Sequence, residues 1–84
     1  MNAMELQHGC RAEYGPLELR IQTTAQLNGF HVYVEDPRLA HRTVDEHAVQ
    51  STLESAKEYA VLRAGAYLNS HQEAGGHEAK WRCS

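Results

Sequence analysis

From Leu17 the chain alternates, with Leu17, Leu19, Ile21, Thr23 and Ala25 apolar or β-branched and Glu18, Arg20, Gln22 and Thr24 between them. A period of two over residues 17–25 predicts a half-buried strand. Asn28-Gly29 follows, the pair best able to take the positive φ angles of a two-residue type I′ turn, and alternation resumes behind it in FHVYVE. Setting Leu27 opposite Phe30 pairs Ala25 with Val32 and Thr23 with Val34, so both apolar sets share one face. The other face then carries Gln26 with His31, Thr24 with Tyr33 and Gln22 with Glu35.

Asp36-Pro37 ends this second strand, because proline has no amide to give to a ladder. A third strand is expected over residues 42–50. Val44 and Ala48 can point inward, but Glu46 lies between them and Val49 is out of phase, which predicts a bulge or an edge position. The STLE run at 51–54 matches a capping box with Ser51 as the N-cap. Leu53, Ala56, Ala60, Ala64, Tyr67 and Leu68 then trace one stripe at a period near 3.6, ending at Asn69 and Ser70. Three alanines in the stripe let the helix approach a sheet closely, and Gly65 costs the last turns about 1 kcal/mol relative to alanine.

Residues 1–15 show no sustained period, and Gly15-Pro16 marks a boundary. Residues 71–84 are polar and contain two glycines. The expectation is an α+β fold: one domain over 16–70, a three-stranded antiparallel β-meander with one C-terminal α-helix packed on one face (βββα, two layers). Residues 1–15 are then a flexible N-terminal arm and 71–84 a flexible C-terminal tail.

An 84-residue chain has a marginal core, which makes oligomerisation a natural supplement. Hydrophobic residues at 42% and charged residues at 23% argue for a globular chain rather than a disordered one. Eight Lys and Arg against eleven Asp and Glu give −3, the wrong sign for neutralising phosphates. No apolar run approaches a membrane span, and the first ten residues lack the basic start and apolar core of a signal peptide. Cys10 and Cys83 stand near opposite ends, where a terminal clip competes with two free thiols in a reducing cytoplasm. The expected setting is the second, hence a cytoplasmic protein.

His31, Tyr33 and Glu35 share the open face of the second strand, where His47 can join them from the third and Arg20 from the first. Imidazole and carboxylate suit proton transfer or metal binding, although a solvated sheet face gives the same pattern. His8, Cys10, His77 and Cys83 suffice in number for a zinc site, but their spacings do not match zinc motifs. His41 and His47, six apart, carry no signature. No phosphate loop, nucleophile elbow, zinc-protease helix or dinucleotide fingerprint occurs, and no catalytic residue or cofactor is assigned. Tyr59, Leu62 and Ala66 form a second apolar patch beside Arg63, to be met by a partner or by Met4 and Leu6 of the arm.

Three strands followed by a helix, with Phe30 before the second strand's alternation, Asp36-Pro37 closing it and STLESAKEYAVLRAGAYL as the helix, resembles plant DNA-binding domains of three strands and one helix. The pattern is also similar to the partner domain of HicB-type antitoxins. The resemblance covers the central part of the chain and implies DNA reading by the sheet, within a regulatory pair. The sequence departs from it in charge: the face offers Arg20, with Arg38 and Arg42 near the second turn, and Glu18 and Glu35 repel phosphate. Three functions are therefore carried forward. The first is a non-enzymatic protein–protein interaction module, as a two-fold homodimer formed by helix packing or edge-strand pairing. The others are DNA binding through the sheet, and a small-molecule or metal site on its polar face.

Overall fold

The computed structural model describes residues 8–23, 29–73 and 75–83. Its elements are β1 (His8–Tyr14), β2 (Leu17–Thr23), β3 (Phe30–Glu35), β4 (Thr43–Gln50), α1 (Leu53–Ser70) and β5 (Arg82–Cys83). The strands make one antiparallel sheet in the order β4-β3-β2-β1-β5, and α1 packs on one face. The expected meander is its β2–β3–β4 part, and the α+β class stands. The sheet is wider than expected by a strand from each end of the chain. Cys10 and Ala12 of β1 are buried in the core, and Ala79 and Trp81 pack against it. Sheet and core therefore take in residues on both sides of 16–70, at positions assigned to an arm and a tail.

Gly15-Pro16 is the connection of a two-residue hairpin, with Tyr14 paired to Leu17. Gly15 has φ +59°, the conformation that a type II′ turn requires at its first central position, while proline's fixed negative φ suits the second. The punctuation read as a boundary is thus a link between two paired strands. Cys10 and Cys83 face each other across β1 and β5 and are joined by a disulfide. That replaces the pair of free thiols and removes both sulfurs from any zinc site.

Between β2 and β3 the register differs from the expected one. Ile21 pairs with Val32, and Leu19 with Val34, four residues from the predicted partners. An even shift preserves which side chains point inward, so Leu19, Ile21, Val32 and Val34 still share the core face. This register is not the one a two-residue Asn28-Gly29 turn sets, and Asn28 with the pairings predicted for residues 24–28 lies outside the described residues. β4 is an edge strand, and its pairing with β3 shifts register twice, between His31 and Val32 and between Val34 and Glu35.

Helix α1 begins one residue later than its sequence signal. Thr52, not Ser51, is the N-cap: its hydroxyl oxygen accepts from the Ser55 amide at 3.0 Å, and Glu54 lies in the first turn, where the helix dipole favours negative charge. Ala56, Ala60 and Ala64 are fully buried with Leu68, over β2 and β3. Alanine's small side chain sets how closely helix and sheet approach. Ala60→Leu is therefore expected to destabilise by about 1–3 kcal/mol through overpacking, read as a lower urea midpoint.

Candidate functional site

The face of the sheet opposite α1 is built from the outward set of each strand. β2 contributes Glu18, Arg20 and Gln22, and β3 contributes His31, Tyr33 and Glu35. Register sets Arg20 opposite Tyr33, Gln22 opposite His31, and Glu18 opposite Glu35. The last pair opposes two carboxylates, an arrangement that destabilises a sheet unless cations intervene. Arg20 Nη2 lies 3.1 Å from Glu35 Oε2, and Arg42 Nη2 lies 2.9 Å from Glu18 Oε1, so each acid has its own guanidinium.

Arg20 also lies over the Tyr33 ring, with Cζ 4.5 Å from the centroid, and the rings of Tyr33 and His31 stack at 4.5 Å. Tyr33 Oη is 3.4 Å from His31 Nδ1. The predicted group of Arg20, His31, Tyr33 and Glu35 is therefore one contiguous cation–aromatic–carboxylate array. His47 is not shown within it: its backbone pairs with Val32, a core residue, and its side chain lies outside the described part. Among the described residues no group of three or more His, Cys, Asp or Glu is placed to hold a metal ion.

Register adds two residues that the sequence reading left in the arm and the tail. Arg11 pairs with Arg20 on one side and with Arg82 on the other, so three arginines cross β5, β1 and β2 in one row. The neighbouring row holds Glu13, Glu18 and Glu35. Gly9, next along β1, has no side chain, and a depression of about 300 Å³ opens there between Arg11, Arg20, Gln22 and Arg82. The sequence did contain a signal for this row. An antiparallel Cys10–Cys83 clip places Arg11 opposite Arg82, since each arginine is the immediate neighbour of its cysteine.

The second predicted surface separates. Leu62 is 69% exposed, and Arg63 and Ala66 are exposed beside it, but Tyr59 is half-buried against the core. Met4 and Leu6, proposed to cover this patch, lie outside the described residues. Arg38 is drawn away from the sheet face: its Nε donates to Asp36 Oδ1 at 2.9 Å and its Nη1 to Glu73 Oε1 at 2.8 Å. No helix is long and apolar enough to cross a membrane among the described residues. Compared with family models, curated proteins and solved structures, the chain matches none.

Proposed function

We propose that the protein is a non-enzymatic interaction module that pairs with a second copy through the outer edge of β4. One observation carries this reading: β4 is the sheet's long free edge, eight residues to which no further strand is paired among the described residues. The opposite edge ends in two-residue β5, tied to β1 by the disulfide, and very short strands are poor templates for pairing. One long edge set against a short, partly covered one favours a closed two-fold pair over a filament. The register shifts on the inner side of β4 twist it, and an identical antiparallel copy matches that twist by symmetry.

Of the two expected contacts this favours the strand edge over the helix patch, where Tyr59 is partly withdrawn. It also leaves the open sheet face accessible in both copies. Val49, 47% exposed on β4, supplies apolar area at that edge. Sedimentation velocity over a concentration series tests the proposal. The expected result is a reversible dimer that Val49→Lys weakens about tenfold or more, because an edge lysine opposes strand addition. A strict monomer at high concentration would sink it.

DNA reading by the sheet is the weaker alternative. Glu13, Glu18 and Glu35 form a row beside the arginines, so a phosphate backbone laid across the strands meets both signs. The cytoplasmic setting rested on the sequence's lack of signal-peptide and membrane-span features and on free thiols; a Cys10–Cys83 bond bears on the last of these and suits an oxidising compartment.

A further inference from the structure

We infer that Arg11, Arg20 and Arg82, with Gln22 at the border and Gly9 as the floor, form a binding site for a phosphate group on the open sheet face. The inference is separate from β4 pairing, since the site lies across β5, β1 and β2. Two successive cross-strand pairs, Arg20 with Arg11 and Arg11 with Arg82, oppose like charges whose Cβ atoms are roughly 4.5–5.5 Å apart. Such a row is unfavourable in isolation and becomes favourable when an anion sits among the guanidinium groups.

Of the nearby acids, Glu35 and Glu18 are held by other pairings, and Glu13 and Glu78 lie near Arg82 without forming an ion pair with it. Glu35 takes one terminal nitrogen of Arg20, leaving the other donors of a five-donor group. Arg11 and Arg82 have no carboxylate within ion-pair distance among the described residues. Glu18 is held by Arg42. The missing side chain at Gly9 leaves a depression of about 300 Å³, larger than a single phosphate needs and open enough for a phosphomonoester to enter by its anionic end.

The depression also decides the size of the ligand. A discrete dianion would meet Arg11, Arg82 and the Arg20 donors that Glu35 does not take, whereas a long polyanion extending along the strands would meet the Glu13, Glu18 and Glu35 row next to them. Guanidinium forks bind phosphate oxygens in pairs, so three arginines supply geometric selection as well as charge. Gln22 adds an amide donor at the border.

The test is an amide NMR titration of the full, oxidised chain at constant ionic strength with inorganic phosphate, and separately with a phosphoserine peptide and its unphosphorylated form. Saturable shifts are expected at Gly9, Arg11, Arg20, Gln22 and Arg82. Arg11→Gln with Arg82→Gln should weaken both phosphate ligands about tenfold or more while amides of β3 and α1 keep their positions. Tighter binding of the phosphopeptide than of inorganic phosphate would identify an esterified group as the source, and equal binding the free ion. Shifts that do not saturate, that chloride reproduces, or that survive the double substitution would overturn the site. None of these outcomes depends on whether the chain dimerises.

Discussion

Asp36→Ala is expected to cost the fold about 2–4 kcal/mol, among the largest losses from any single side chain. Asp36 is 1% exposed at the end of β3 and accepts four hydrogen bonds. Its Oδ1 receives the Arg38 amide at 3.0 Å and Arg38 Nε at 2.9 Å. Its Oδ2 receives Arg38 Nη2 at 2.9 Å and the Tyr67 hydroxyl at 3.0 Å. Truncation leaves the part-buried Tyr67 hydroxyl and part of the Arg38 guanidinium without their acceptor, which costs more than the bonds themselves contribute. Urea unfolding reads the loss, and an unchanged midpoint would show that water replaces the carboxylate without penalty.

The same carboxylate sets a pH dependence. Hydrogen bonding from Arg38 holds the Asp36 carboxyl well below its ordinary value of 3.8, against the opposing effect of burial. Glu73 is lowered in the same way by Arg38. Because both are depressed in the folded chain, their contribution is fully present above the unfolded carboxylate range, near pH 4, and is lost as the pH falls through the folded values. Tyr67 is displaced upward, first by burial and then by its bond to Asp36. Its contribution is present below about pH 10 and declines as the pH rises beyond it. Asp36→Asn should flatten the acid limb, measured as the urea midpoint between pH 2 and 5.

Much of the central fold was legible because hydrophobic period survives errors of register. Leu17, Leu19, Ile21, Val32 and Val34 are core in any even register, so a four-residue slip did not disturb the face assignment. The alanine stripe of α1 was legible for the same reason. Strand β1 was not, because HGCRAEY carries its inward alternation on Cys10, Ala12 and Tyr14, and the first two barely register as hydrophobic pattern. β5 is too short to have a period at all.

The candidate site divides along that line. His31, Tyr33 and Glu35 share a face by simple alternation, and their adjacency followed from the sequence. The partnership of Arg20 with Glu35 did not, because the predicted register gave Glu35 to Gln22. Arg11 and Arg82 acquire meaning only through long-range pairing, which a local reading of either end does not contain. The network around Asp36 explains how the chain returns to complete that pairing. Arg38 holds Glu73 just after α1, and Cys83 is bonded to Cys10, so the returning segment is anchored at both ends.

Reducing the Cys10–Cys83 bond should therefore have the other large effect. Its cysteines are 73 residues apart, and closing a loop of that length restricts the unfolded chain by roughly 4 kcal/mol on the chain-entropy account. Cys10→Ser with Cys83→Ser should lower the thermal midpoint by an amount comparable to that of thiol reduction. Two residues of β5 cannot hold the sheet edge by their ladder alone, so the local consequence is release of residues 82–83 and faster amide exchange along β1. Arg82 leaves the arginine row at the same step. Phosphate affinity should fall on reduction while the amides of β2, β3 and α1 keep their native NMR positions, because the core of Leu19, Ile21, Val32, Val34 and the alanine stripe does not depend on β5. If the reduced chain keeps its thermal midpoint, the disulfide does not hold this edge; if it keeps phosphate binding, Arg82 does not belong to the site.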